Sequence, residues 1–330
     1  MKRRQFFFGL AIALLSFAAN ATEPIVIKFS HVVAPDTPKG KAAEYFKKLA
    51  EERTQGQVKV EVYPNSQLYK DKEELEALQM GVVQMLAPSL AKFGPLGVRD
   101  FEVFDLPYLF DSYDSLHQVT QGPLGKELLN KLENKGILGL GFWDNGFKQM
   151  SANKPLRKPA DFKGLKMRIQ SSKILDAQMR ALGANPQVMA FSEVYQALQT
   201  GVVDGTENPP SNFYTQKMHE VQKYLTLSNH GYLGYAVIVN KKFWEDLPAA
   251  IRVELEKSMA EATQYANDIA KQENDDALEQ VKASGKTTVL TLTPEEKLAW
   301  RKVLLPVHKT QDRVPQELIA KIYQAIGFKE

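Results

Sequence analysis

The 330-residue chain carries 42 lysines and arginines against 39 acidic residues, and no cysteine. Without thiols it cannot use disulfide staples or thiolate metal sites, so a packed core must stabilise the fold. The near-balance of charge removes the electrostatic case for a nucleic-acid partner.

Lys2, Arg3 and Arg4 precede an uncharged run, FFFGLAIALLSFAA, from Phe6 to Ala19, and the small-x-small triplet Ala19-Asn20-Ala21. Together these describe a secretory signal peptide over residues 1–21, cleaved after Ala21. The pair Arg3-Arg4 hints at twin-arginine export, but the rest of that motif is missing and the general secretory route is favoured. Cleavage leaves 309 of the 330 residues, room for two ordinary domains. It also removes three of the 42 basic residues, so 39 face 39 and the mature chain is formally neutral. Nothing later approaches eighteen consecutive apolar residues, so no membrane span is expected.

From there strands and helices alternate. PIVIKFSHV (24–32) reads as a strand and Pro38 to Thr54 as an amphipathic helix. QVKVEVYP (57–64) has valines at every second position, a strand period. A helix is expected from Asp71 to Gly81, followed by a buried strand in VVQMLAP (82–88). This alternation predicts α/β layers with helices covering a largely parallel sheet. An internal repeat supports a duplicated architecture: EALQMGVVQ (76–84) and QALQTGVVD (196–204) match at an offset of 120, which also aligns Asn65 with Asn185, Gln67 with Gln187 and Glu73 with Glu193. Each copy reads as a helix stopped by Gly81 or Gly201, then a strand. The last third is helical, with one long run from Lys241 to about Gly285 interrupted at most near Asp246–Pro248, then helices over 294–312 and 315–326. The long run exceeds an ordinary helix and should span both halves.

Catalytic vocabulary is sparse. His31, His117, His219, His230 and His308 form no ligand pair, and there is no GxSxG, P-loop or complete GxGxxG. Asp71 and Glu73 read as solvated residues of an exposed helix. Binding vocabulary is richer. GLKMRIQ (164–170) as a strand puts Leu165, Met167 and Ile169 on one face and Arg168 on the other. Solvent is the ordinary partner of such an arginine. VVDGTENPP (202–210) reads as a strand ending in the turn Asp204-Gly205, with Asn208 held extended by Pro209. WDNGFKQMSAN (143–153), SHVVAPDTPKG (30–40) and PSLAKFGPLG (88–97) offer Lys148, Lys39, and Ser89 with Lys92, all at expected strand ends. In open α/β sheets that edge is where ligands bind.

FSHVVAPDTPKG, LPYLF, NGFKQMSAN, GLKMRIQ, VQKYLTLSNH and the word from Met189 to Pro209 together carry a resemblance. Over essentially the whole mature chain, the sequence resembles the extracytoplasmic solute-binding subunits of tripartite ATP-independent periplasmic (TRAP) transporters, most of all those for four-carbon dicarboxylates. The resemblance implies an α/β, two-lobed periplasmic binding protein fold with a long helix spanning both lobes and a ligand cleft between them. The lobes would comprise residues 22–145 plus 234–273 and 146–233 plus 274–330.

The resemblance also assigns roles. Arg168 would clamp the ligand carboxylate, which suits a guanidinium's bidentate fork. Asn208 would support that contact and Phe191 would pack nearby. Relatives for sialic acid carry arginine where this chain has Lys148, which lacks that fork and makes such a ligand less fitting. A dicarboxylate needs a second cationic pole, for which Lys39 and Lys92 are candidates and Lys148 a third. Asn212 and His31 could add neutral hydrogen bonds. The expected function is a periplasmic receptor capturing succinate, fumarate or malate and delivering it to integral membrane permease subunits, as a monomer without cofactor, metal or catalysis. Alternatives are a binding protein for another organic acid, such as a sugar acid or keto acid, and a subunit presenting ligand to a membrane sensor.

Overall fold

The structure is a computed structural model that describes residues 23–329; the expected signal peptide at 1–21 lies outside them. Among the described residues nine strands form one sheet: β1 (Ile25–Ser30), β2 (Val58–Tyr63), β3 (Met85–Leu86), β4 (Ile137–Ala152), β5 (Lys166–Ile169), β6 (Asn185–Val188), β7 (Gly205–Asn208), β8 (Tyr224–Asn240) and β9 (Thr288–Thr291). Their order is β2-β1-β3-β8-β4-β7-β5-β6, with β9 beside β8.

The expectation of a largely parallel sheet needs correction. Parallel pairing holds in two groups, β2-β1-β3 and β7-β5-β6. Between them runs a long antiparallel pair, β4 with β8, from Ile137↔Asn240 to Ala152↔Tyr224. β3 joins this pair at one end, through Met85↔Val239. β7 joins it at the other, through Ala152↔Gly205. Three register shifts between Gly139 and Met150 bend the pair where it crosses from one lobe to the other. Both parallel groups therefore aim their C-terminal ends at the middle of the long pair. That convergence, set by register alone, positions the site.

Four local expectations also shift. The helix expected over 71–81 occupies only Glu74–Gln79, and VVQMLAP contributes just the two residues of β3. The strand in VVDGTENPP begins at Gly205, where a turn was expected, and ends at Asn208. The last run divides into Pro294–Leu304, Val307–Thr310 and Gln316–Ile326. The internal repeat is reproduced to the residue: helices Glu74–Gln79 and Val194–Gln199 lie 120 apart, and Gly81 and Gly201 follow them at φ +75° and +73°, the left-handed stop that glycine adopts at least cost.

The helix Ala249–Ala283 follows a break at Leu247-Pro248 and braces both lobes. Ser258, Ala262, Ala266, Ala270 and Asn274 recur every four residues on its buried face. Their small side chains let the helix lie close on β4. Its Ile251, Leu255 and Met259 join the core around Phe29, Phe46 and Trp143, while Val281 joins the core around Phe191, Phe213 and Leu225. Where β7 packs between β4 and β5 there is little slack at Gly205: a Cβ there would stand 2.2 Å from the Ser151 carbonyl oxygen and 2.9 Å from Met167 Sδ. Gly205→Ala should cost about 1–3 kcal/mol, as overpacking against backbone does. A urea-unfolding midpoint equal to that of the unaltered protein would contradict this.

Candidate functional site

A cavity of about 280 Å³ lies where the two parallel groups converge, and Lys39, Ser89, Lys92, Arg168, Phe191, Asn208 and Asn212 all line it. These are seven of the nine residues the sequence singled out. His31 and Lys148 are not brought there.

Arg168 comes from β5, whose alternation sends Met167 and Ile169 into the core around Phe162 and Trp300. The residue is 2% exposed, and its Nε and Nη2 donate to the Met189 carbonyl oxygen at 3.1 and 2.9 Å. Its Cζ sits 5.8 Å from the centre of the Phe191 ring. Burial lowers its pKa, opposed by the fields of Asp71 and Glu207; an arginine nevertheless stays charged.

Lys39 lies in the first turn of the helix Pro38–Arg53 and is 1% exposed. Its Nζ donates to the Ala87 carbonyl oxygen at 2.9 Å and stands 3.7 Å above the Tyr235 ring. Burial, then repulsion from Lys92, brings its pKa down to about 7, against the pull of Glu74 and Asp71. Lys92 is different. Its Nζ pairs with Glu74 at 2.6 Å and with Asp71, and these carboxylates outweigh burial and push its pKa up to about 12.

Asn208 and Glu207 face opposite sides of β7. Asn208 reaches the cavity, and its amide has only long contacts, 3.5 Å to Thr206 Oγ1 and 3.6 Å to Met218 Sδ. Glu207 points to the back of the sheet, where Lys148 meets it at 2.8 Å and His230 Nε2 at 2.8 Å. Burial alone would raise the Glu207 pKa, yet Lys148 and His230 hold it down at about 2. Lys148 therefore lies in the interior of β4, not at a strand end, and its charge is already matched. His31 is 1% exposed, and burial and Lys39 lower its pKa to about 3, so it is neutral.

Asn145 organises the far wall. Its Nδ2 donates to Asn212 Oδ1 at 2.9 Å and to the Tyr235 hydroxyl at 2.7 Å, and its Oδ1 accepts from Ser211 Oγ at 2.8 Å. Asn274 of the long helix joins Asn145 to Ser211 here, donating to the Asn145 carbonyl at 2.7 Å and accepting from the Ser211 N–H at 3.0 Å. Gln170 Nε2 reaches Ser89 Oγ at 2.7 Å.

The sequence reading missed Tyr235, and it placed Asp71 in solvent. Asp71 instead lines the cavity, pairs with Lys92 and accepts from the Phe191 N–H at 2.6 Å. The repeat held a signal for it, because 71 and 191 are counterparts at the offset of 120. Among the described residues no group of three or more acidic or histidine side chains could hold a metal ion.

Comparison with known proteins agrees with this geometry. The profile of the bacterial extracellular solute-binding proteins, family 7, matches residues 29–313. The C4-dicarboxylate-binding periplasmic protein DctP of Rhodobacter capsulatus is 70% identical over 316 residues, 96% of this chain and 95% of that one. A TRAP periplasmic solute-binding protein of Shewanella oneidensis, solved with bound succinate, superposes with a TM-score of 0.89 at 44% identity, covering 92% of this chain and 99% of that one. Another from Pseudomonas aeruginosa, with bound L-malate, gives 0.85 at 47% identity, covering 87% and 100%. A two-lobed sheet closing on a cation-lined cavity, matched over nearly its whole length, places this chain in family 7 of the bacterial extracellular solute-binding proteins.

Proposed function

We propose that the protein is a periplasmic receptor for a four-carbon dicarboxylate, succinate, fumarate or malate, which it hands to the membrane permease subunits of a TRAP transporter. One observation carries the reading: two buried cations, Arg168 and Lys39, face one cavity while bonded to carbonyl oxygens rather than to carboxylates. A buried charge left in that state is costly and is relieved by an incoming anion. Two such cations suit an acid with a carboxylate at each end, with Arg168 as the bidentate clamp and Lys39 as the second pole. Lys92 is the weaker candidate, because Asp71 and Glu74 already neutralise it. The ligands of the Shewanella and Pseudomonas relatives and the name of the Rhodobacter one support the choice.

The lobes we propose, 22–145 plus 234–273 and 146–233 plus 274–330, would turn about the bent middle of β4 and β8. The terminal helix departs from this division, since Leu318, Ile319 and Ile322 pack with Leu116 and Val119. The test is calorimetric titration of residues 22–330, freed of bound acid, with succinate, fumarate, L-malate and galactonate. Micromolar binding of the C4 acids, about −8 kcal/mol, with galactonate much weaker, is the expected result. Preference for galactonate would sink the dicarboxylate assignment.

A further inference from the structure

Asp71 stands at the boundary between the inner cavity, about 280 Å³, and an outer groove of about 1550 Å³ that opens to solvent; it lines both. Its two oxygens have separate tasks. Oδ1 pairs with Lys92 Nζ, and Oδ2 accepts from the Phe191 N–H at 2.6 Å, bridging the mouth from one lobe to the other. With Glu74 at 2.6 Å, Asp71 gives Lys92 two counter-charges. Among the described residues, the other cavity-lining cations, Lys39 and Arg168, pair with no carboxylate; their bonds go to Ala87 O and Met189 O.

We propose that Asp71 determines how many carboxylates the site accepts. With Glu74 it neutralises Lys92, which lines both the cavity and the groove, and so leaves two free cations, matched to a dianion. The inference rests on the dicarboxylate reading and adds a residue to it. A third carboxylate arm on the ligand would have to displace Asp71 from Lys92 or lie beside it, and like charges in a poorly hydrated site repel strongly. The groups facing Asp71 keep it charged: burial would raise its pKa, but Lys92 and Arg168 bring it to about 2. The groove beyond it has room for a further carboxymethyl group. Removing the charge without removing the acceptor should therefore leave Lys92 paired with Glu74 alone and raise the net positive charge that meets that arm by one.

Asp71→Asn does this, because an amide oxygen still accepts from the Phe191 N–H. The probe is tricarballylate, which is succinate carrying one extra carboxymethyl arm, titrated beside succinate at pH 7 into the mature chain. In the unaltered protein succinate should bind far more tightly. In D71N the ratio of the tricarballylate Kd to the succinate Kd should fall by roughly tenfold or more, the ordinary worth of one hydrogen bond to a charged group. Asp71→Ala, which also loses the acceptor, should move the ratio the same way. Adding Lys92→Gln to D71N should restore it. A ratio that stays put or rises in D71N while succinate still binds overturns this inference alone, as does a gain that survives Lys92→Gln. Failure of the unaltered protein to bind succinate overturns the dicarboxylate reading and takes this inference with it.

Discussion

Arg168→Ala should abolish measurable succinate binding without unfolding the protein. Each hydrogen bond to a charged group contributes about 1.5–3 kcal/mol, and a carboxylate left buried beside no cation loses about 3–5 kcal/mol. Affinity should fall by roughly two to four orders of magnitude. The fold has less to lose. Among the described residues Arg168 is a buried cation hydrogen-bonded only to the Met189 carbonyl oxygen, and burial disfavours its charge. Truncating it should leave the melting temperature of the ligand-free protein unchanged or slightly raised, while the rise on adding succinate disappears. Arg168→Lys should recover part of the affinity, since it restores the charge but not the fork. A large drop in ligand-free stability, or undiminished binding by the alanine variant, would show that Arg168 supports the sheet and does not anchor the ligand.

How much of this was legible in the sequence depended on the range of the interactions involved. The strand β5 and the helix Pro38–Arg53 follow from local periodicity and sit where it placed them. Asn208 and Lys39 were found because Asn208 ends a strand and Lys39 follows the loop after one, at the sheet's ligand-binding edge, whereas the roles of Arg168 and Phe191 came from the distinctive words that carry the family resemblance. The orientation of the sheet was not legible. β4 and β8 run for 16 and 17 residues, and glycines break up their pattern, so each reads as shorter pieces. Their pairing joins residues up to about a hundred positions apart, which no local pattern reveals.

The same pairing decides which lysines are available. Gln149↔Asn208 and Met150↔Glu207 set the register that brings Lys148 to Glu207, a partner 59 residues away. The sequence ranked Lys39 and Lys92 together ahead of Lys148; the partners separate Lys39 from both of the others. Tyr235 was hidden for a related reason. It lies in the apolar run LGYAVIVN, a natural core strand, and reaches the cavity because β8 passes Ser89 there.

Lys39 makes the second large effect a matter of pH. Burial, then Lys92, brings its pKa to about 7 from 10.5. A ligand carboxylate beside it favours the charged form and raises that value. Above about pH 7 binding must therefore take up a proton, and the succinate Kd should rise by up to tenfold per pH unit until the pKa of the bound form is reached. Below about pH 7 it should be flat.

The ligand-free stability runs the other way. The folded pKa is depressed, so the folded state binds fewer protons than the unfolded chain between about pH 7 and 10.5. The stability contribution is fully present above the unfolded value, is lost as pH falls towards 7, and amounts to a few kcal/mol at most, at about 1.4 kcal/mol per unit. The neighbours do not imitate this. His31 at about 3, Asp71 at about 2 and Lys92 at about 12 titrate outside the window, and Arg168 stays charged. Asp105, lifted to about 7 by burial, and Glu74, also raised by burial, are the confounders, and both survive in a Lys39→Met variant. Calorimetry between pH 6 and 9, in buffers of differing ionisation enthalpy, should show proton uptake on binding by the unaltered protein and none in Lys39→Met. A flat Kd across that range, or the same slope in both proteins, would mean that Lys39 is not the second pole. The distal carboxylate would then have to be held by Lys92, in competition with Asp71 and Glu74.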